Sequence, residues 1–522
     1  MVTKSVKPAP SEPALWCRLD YSRPAICSGQ GARISSRLRA CLGTRPPGKL
    51  GACVQTTSHH RKKLAKGVGS IHALEPSTRI IQFSLTIDFQ AFNHGEDLAD
   101  YSGYYSPVSP SSRADAATED LGSLFTGVHF RDPPACNRFS FPFDMYFSLH
   151  TVDTPAAIID LERMQHNIDR MQQRMDMLGV RFRPHVKTSK CTPVVCAQLA
   201  AGAHGITVST LKEAEHFLAA GVTDIFYAVG MAPHRLPQAL ALRRRGCNLK
   251  ILTDGLVSAQ AIAEFGKANG EAFDVWIEID TDGHRSGIQP EDPVLMEVGH
   301  ALQNGGMRLG GVLTHAGSSY ELDTPEALTA LAERERVGCV RAAERLRAAG
   351  LPCPGVSVGS TPTAFAAAQL QGVTEVRAGV YVLFDLVMNN IGVCTTDEIA
   401  LSVLTTVIGH QSDKGWIIVD AGWMAMSRDR GTQKQKQDYG YGQVCTIDGT
   451  VLPGYLLSGA NQEHGIVSRE GGPDADISHR FPVGTRLRIL PNHACATGAQ
   501  FPEYRALAEG GTLTTWERFH GW

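Results

Sequence analysis

The sequence predicts an α/β protein made of a (β/α)8 barrel followed by a C-terminal, mainly-β domain. Three observations carry that expectation. From Thr154 onward short β-branched runs alternate with amphipathic helical runs, the sequence sign of βαβ units. The alternation occupies 145–390, close to the roughly 250 residues that a barrel of this kind needs. Beyond about Ile391 the hydrophobic period shifts toward two, with glycine-rich turns between the runs.

Taken in order, Ala156 to Asp160 reads as a leading strand, followed by a helix up to Gly179. Eight candidate barrel strands come next: Arg181 to Lys187, Ile206 to Thr210, Ile225 to Gly230, Leu249 to Asp254, Phe273 to Asp280, Leu309 to Gly317, Gly355 to Thr361 and Thr374 to Gly379. Each but the last is followed by a helical run. Capping residues stand where helices should begin, Ser209 and Thr210 before Leu211, Asp254 and Gly255 before Val257. The strands of the second domain, 391–522, include Ser402 to Ile408, Gly415 to Val419, Gly442 to Ile447 and Arg486 to Leu490.

Residues 1–144 have a different character. Between Met1 and Leu74 there are 13 Lys or Arg against two acids, Glu12 and Asp20, and hydrophobic periodicity is absent. Such a stretch reads as an organelle leader, a disordered tail or upstream sequence translated ahead of a start at Met145, and the last is the reading preferred here. His59 and His60, followed by Arg61, Lys62 and Lys63, are read as solvated tail rather than as a metal or nucleic-acid site.

Composition narrows the function. A net charge of -2 offers no field for nucleic acid or anionic lipid, and no apolar run reaches the roughly 18–20 residues of a membrane span. Thirteen cysteines without a CxxC pair argue against a disulfide framework and against a zinc ribbon. The expectation is a cytoplasmic protein with mostly reduced thiols, acting on a small molecule.

Barrels of this kind carry their chemistry at the C-terminal ends of the strands. The first strand ends in Arg183, Pro184, His185, Val186, Lys187 and Thr188. A lysine at a barrel mouth is costly unless it is exposed, paired or used covalently, and taken alone it is more often salt-bridged. The seventh strand ends in Gly359, Ser360 and Thr361 just before a helix, where small residues let main-chain N–H groups approach a phosphate. A plain helix cap is the equal alternative. The fifth and sixth strands end in unusually polar loops holding Arg285 and His315. Together these place a lysine, an arginine, a histidine and a phosphate cradle on one rim, a combination that suits a phosphorylated cofactor held as a Schiff base.

In the second domain His493 and Cys495 fall on one face if the chain is extended there, a spacing that lets an imidazole and a thiolate share a divalent ion. By itself the pair is weak, and a buried thiol beside a structural histidine is the better reading of it. Arg428 is a candidate to receive a substrate carboxylate, the alternative being a surface arginine paired with Asp429.

The stretch from about Met145 to Trp522 resembles the fold-type III pyridoxal-phosphate enzymes acting on 3-hydroxy D-amino acids, a group of dehydratases and aldolases. The motifs that carry the likeness are Arg183 to Lys190, Asp282 to Gly287, Thr314 to Tyr320, Gly359 to Pro362, Arg377 to Tyr381 and Pro491 to Cys495. The resemblance implies a barrel of the alanine racemase type with Lys187 carrying pyridoxal 5'-phosphate. It implies further that Gly359, Ser360, Thr361 and Tyr381 contact the phosphate, that Arg285 lies near the cofactor's phenolic oxygen and that His315 neighbours its ring. His493 and Cys495 match the metal pair of the dehydratase branch, with zinc, cobalt, manganese or nickel as the ion, whereas the aldolase branch tends to carry aspartate at the second position. The implied reaction is elimination of water from D-threo-3-hydroxyaspartate, giving oxaloacetate and ammonia, with D-serine as a further substrate and cleavage of D-threonine to glycine and an aldehyde as the alternative. A homodimer is the implied assembly.

Overall fold

The computed structural model describes residues 148–473 and 476–522 of the chain. The expectation placed on residues 1–144, and the start expected at Met145, lie outside the described residues.

The first part runs β1 (Ala156–Asp160), α1 (Leu161–Met177), β2 (Arg181–Phe182), α2 (Thr192–Ala200), β3 (Ile206–Val208), α3 (Leu211–Ala219), β4 (Asp224–Gly230), α4 (Leu236–Arg244) and β5 (Asn248–Thr253). It continues with α5 (Leu256–Asn269), β6 (Asp274–Ile279), α6 (Val294–Asn304), β7 (Arg308–Thr314), α7 (Pro325–Ala348), β8 (Gly355–Val358), α8 (Thr361–Ala366), β9 (Glu375–Val376) and α9 (Leu386–Asn390). Then follow β10 (Leu401–Gln411), β11 (Trp416–Val419), α10 (Trp423–Met426), β12 (Gly442–Cys445), β13 (Val451–Ala460) and β14 (Gly465–Arg469). The chain closes with α11 (Ile477–Arg480), β15 (Arg486–Pro491), α12 (Ala494–Gly498), β16 (Glu503–Leu507) and β17 (Leu513–Glu517).

Local chemistry explains the helices. The Asp160 carboxylate accepts from Arg163 N and starts α1, which buries Met164, Ile168, Met171 and Met175 along one stripe. Each of those side chains contributes about 1.5–3 kcal/mol through its removal from water. Thr210 caps α3 by accepting from Glu213 N at 3.0 Å. The start of α5 corrects the expectation at Asp254: its N-cap is Gly255, with no side-chain cap bond.

All eight expected barrel strands form. They pair in parallel in the order β2-β9-β8-β7-β6-β5-β4-β3, and a parallel bridge between His185 and Thr207 joins β2 to β3 and closes the ring. The second sheet has nine strands, of which β10, β11, β14, β13, β12 and β15 form a ring of their own. β1 precedes the barrel in sequence yet belongs to this second sheet, antiparallel to β10 and parallel to β16.

The barrel interior holds a charged ladder. Arg183 is 2% exposed and bonds both Glu375, at 2.7 Å, and Asp224, at 2.8 Å. Asp224 also receives Lys250 at 2.6 Å. Glu375 accepts from Ser357 Oγ at 3.0 Å, and the same hydroxyl accepts from Arg377 Nε at 3.0 Å. The pairs compensate one another, as buried charges require. Gly205, at φ +70°, is needed beside them because a Cβ there would collide with the Arg183 guanidinium.

Candidate active site

One cavity of about 770 Å³ sits at the C-terminal mouth of the barrel. Its walls bring together Lys187, His315, Gly359, Ser360, Thr361, His493 and Cys495, which lie up to three hundred positions apart in sequence. The second domain reaches the barrel mouth through the turn after β15 and through the loop after α10.

Lys187 projects into the cavity from the end of the first barrel strand. Its neighbour Lys190 is paired with Glu213 at 3.1 Å, whereas Lys187 itself makes no ion pair among the described residues. The amine therefore has no carboxylate to neutralise it. His185 and His315 stand beside it, both lowered by burial and then by the charges of Lys187, Arg377 and Arg285, His315 to about 3. His315 Nδ1 contacts Gly359 O at 3.2 Å, so its ring is held against the seventh strand end. Both rings are neutral at pH 7.

The Gly359 turn is fastened from behind by Glu335 of α7, which accepts from Gly359 N and Ala316 N, each at 3.0 Å. Gly359 has φ +125°, and a Cβ there would press on Arg377 O. Ser360 caps α8 in a reciprocal box with Thr363 and shares a hydrogen bond with Ser319 at 2.9 Å. Thr361 Oγ1 accepts from Tyr381 N at 3.3 Å, which leaves its hydroxyl proton for an acceptor in the cavity.

His493 and Cys495 are adjacent, but not by way of an extended strand. β15 ends at Pro491, His493 is the extended N-cap residue of α12, and Cys495 sits in the first turn of that helix. Asp385 holds this turn: its carboxylate accepts from Ala494 N at 2.9 Å and from Met388 N at 3.0 Å. His493 Nδ1 donates to Asp429 Oδ2 at 2.7 Å. Burial alone would lower His493, yet the facing Cys495 and Asp429 raise it to about 11; burial alone would raise Cys495, yet His493 and Lys187 lower it. The thiol is thus held toward the thiolate, and Thr188 Oγ1 lies 3.2 Å from its sulfur.

Two residues, Tyr381 and Arg428, lie away from where they were expected. The Tyr381 hydroxyl does not reach the cavity; it is buried against Phe182 and accepts from Gln198 Nε2 at 2.7 Å. Arg428 is stacked over the Trp423 ring at 4.2 Å and is not a cavity wall, nor does it pair with Asp429, which serves His493. Arg285 lies at the rim, 60% exposed and paired with Glu278 at 3.3 Å. Asp429, Asp385, Glu335 and His185 are residues to which the sequence reading gave no role. His185 stands inside a motif already singled out; the three acids have no signal in spacing, because their partners lie far along the chain.

The donor sets fit the groups expected. An amine without a carboxylate, a free Thr361 hydroxyl proton and the nearby cations Arg377 and Arg285 suit a phosphorylated aldehyde. An imidazole oriented by a carboxylate, next to a thiol held low, suits one divalent ion with open positions. No group of three or more His, Cys, Asp or Glu able to hold a metal occurs among the described residues.

Residues 159–386 match the family described as "Alanine racemase, N-terminal domain", and residues 400–507 match the one described as "Putative serine dehydratase domain". The chain is 74% identical over 380 residues to D-threo-3-hydroxyaspartate dehydratase of Delftia sp. (strain HT23), covering 72% of this chain and 100% of that protein. The solved structure of the Delftia enzyme superposes with a TM-score of 0.72 over the same 72% of this chain and 100% of its own. A cysteine-to-alanine variant of D-threo-3-hydroxyaspartate dehydratase has been solved in the metal-free form. D-serine dehydratase of Dictyostelium discoideum is 27% identical, over 69% of this chain and 94% of that one. D-threonine aldolase of an Arthrobacter species is 28% identical, over 71% of this chain and 93% of its own.

Proposed function

The chain belongs to the D-threo-3-hydroxyaspartate dehydratase family, and from that premise we propose that it is a lyase converting D-threo-3-hydroxyaspartate to oxaloacetate and ammonia, with D-serine, giving pyruvate, as a second substrate. One observation carries the reading: the unpaired amine of Lys187 and the His493–Cys495 pair line the same cavity as the Gly359 turn.

Gly359, Ser360, Thr361 and Lys187 would hold pyridoxal phosphate, with His315 beside its ring. The cofactor supplies an electron sink conjugated to the substrate α-carbon. His493 and Cys495 would hold a divalent ion, which supplies Lewis acidity at the β-hydroxyl.

The chain's own residues then have distinct tasks. Lys187 Nζ is the base that takes the α-proton of the D-isomer. Asp429 fixes the imidazole of His493 by holding Nδ1, and Asp385 keeps the main chain of the His493–Cys495 turn in place. His315 stays neutral and adds no competing positive charge. In sum the substrate loses its α-proton and β-hydroxyl as water, and the resulting enamine tautomerises and is hydrolysed to the 2-oxo acid and ammonia.

Seven of the eight cysteines among the described residues, Cys191, Cys247, Cys339, Cys353, Cys394, Cys445 and Cys495, are free thiols, which supports the cytoplasm as the place of action. Among the described residues no helix is long and apolar enough to cross a membrane. A homodimer is the proposed assembly, which sedimentation of the full chain tests.

The direct test is product identity. The full chain, loaded with pyridoxal phosphate and a divalent ion, is expected to release oxaloacetate from D-threo-3-hydroxyaspartate, and a chelator is expected to stop it. Lys187→Ala should lower that rate by about 10²–10⁴-fold, the usual worth of a positioned base. Release of glycine from D-threonine without oxaloacetate would replace the dehydratase by the aldolase reading.

A further inference from the structure

The loop after α10 crosses the cavity as a strap, from Ser427 to Gly440, and carries a feature the reaction above does not use. Two lysines on it, Lys434 and Lys436, line the cavity. Arg430 on the same strap is paired with Asp438 at 2.8 Å, whereas Lys434 and Lys436 make no ion pair among the described residues. Both lysines are exposed at the cavity edge, and although Glu321, Asp323, Asp385 and Asp429 line the same cavity, none of them pairs with either ammonium, which leaves both for an anion from outside the chain.

The strap is held in place. Asn390 Nδ2 donates to Gln435 Oε1 at 3.0 Å and to Gln437 O at 2.8 Å, gripping the strap on either side of Lys436. Buried Thr432 donates to Asn492 Oδ1 at 3.2 Å, and Asn492 Nδ2 in turn donates to Gly440 O at 2.7 Å. Gln435 Nε2 reaches Tyr320 O on the barrel side at 3.5 Å. The two ammonium groups are therefore presented from a fastened segment rather than from a free loop.

Near its start the strap touches the candidate metal pair, since Asp429 is the residue bonded to His493. In a 3-hydroxyaspartate the second carboxylate sits on the carbon that bears the leaving hydroxyl. A hydroxyl presented to His493 and Cys495 brings that carboxylate to the same side of the cavity, under the strap. D-serine has only hydrogen at that position.

We propose that Lys434 and Lys436 form the subsite that receives the β-carboxylate and so select dicarboxylic over monocarboxylic 3-hydroxy D-amino acids. The proposal rests on the dehydratase reading and names the specificity determinant of that site, in place of Arg428, whose guanidinium is stacked on Trp423.

The experiment uses the full chain with cofactor and metal. The ratio of kcat/KM for D-threo-3-hydroxyaspartate to that for D-serine should fall about tenfold in Lys434→Gln or Lys436→Gln and about a hundredfold in the double variant, with the loss mainly in KM. Lys434→Arg with Lys436→Arg keeps both charges and should retain the ratio. An unchanged ratio, or equal losses on both substrates, overturns the proposal, the latter because it assigns the lysines to the α-carboxylate. A binding readout separates this from failure of the dehydratase reading. Succinate should raise the melting temperature of the wild type more than acetate does, and the double glutamine variant should lose that difference. A wild type that releases no keto acid but shows the succinate shift refutes the dehydratase reading and keeps the anion subsite; absence of the shift refutes the subsite.

Discussion

Asp429 decides how His493 is presented. Its carboxylate takes Nδ1 at 2.7 Å, which turns the other ring nitrogen toward the space shared with Cys495. Asp429→Asn preserves the shape and removes the charge, so retention of a divalent ion in chelator competition should weaken about 10- to 100-fold, the usual effect of losing an orienting carboxylate. Metal retention equal to the wild type would show that Asp429 serves only the strap. The spacing of His493 and Cys495 is weak by itself, and it was the likeness of Pro491 to Cys495 to the family pattern that singled the pair out. Asp429 was not legible, since 64 positions separate it from His493 and only the folded strap joins them. Lys187 was legible because a strand end at a barrel mouth is a place with a chemical meaning. The Tyr381 contact was implied by the resemblance alone, and the burial of its hydroxyl against Phe182 has no sign in the local sequence. Tyr381 lies in a short 3-10 turn, and its ring turns inward onto Phe182.

The strands and helices were legible where period and punctuation agree, as in β4 to β7 with their intervening helices. The periodicity could not show which sheet a strand joins. β1 reads as the start of the barrel and pairs instead with β10 and β16, because its partners arrive hundreds of residues later. The β2 and β9 ladders are only two residues long, so the expected spans from Arg181 to Lys187 and from Thr374 to Gly379 are mostly extended chain outside the regular ladder. What secures these short strands is the Arg183 ladder, which ties the chain after β2 to β9 through Glu375 and to β4 through Asp224. Arg183→Met leaves the buried carboxylate of Glu375 without its cation and takes one of two cations from the half-exposed Asp224, and should cost about 3–5 kcal/mol in urea denaturation. At temperatures where the variant stays folded, its catalytic constants should change far less than its stability, since Arg183 does not line the cavity. A neutral effect on the urea midpoint would mean that Lys250 and Ser357 suffice to hold these acids.

Across the whole molecule the cationic character of the cavity has a consequence for acid stability. His185 and His315 are held neutral in the fold, lowered first by burial and then by Lys187 and its cationic neighbours, His315 from 6.5 to about 3. In the unfolded chain each would titrate near 6.5, so below that pH the unfolded state binds a proton that the folded state refuses. The stabilising contribution is therefore fully present above about 6.5 and is lost as pH falls toward 3. By pH 5 the loss is about 2 kcal/mol for each histidine that stays neutral, at about 1.4 kcal/mol per unit of pH. Buried carboxyls act with the opposite sign. Glu335 and Asp274, both raised by burial, take up protons in the fold before they would in the unfolded chain, and they offset part of the loss at the acid end. A single variant isolates the histidine contribution from this background. The urea midpoint of the wild type should drop further between pH 7 and pH 5 than that of His315→Asn, which has no ring to protonate. Parallel pH profiles for the two proteins would show that His315 gains its proton inside the fold as readily as outside, and that the field of Lys187 and Arg377 does not reach it.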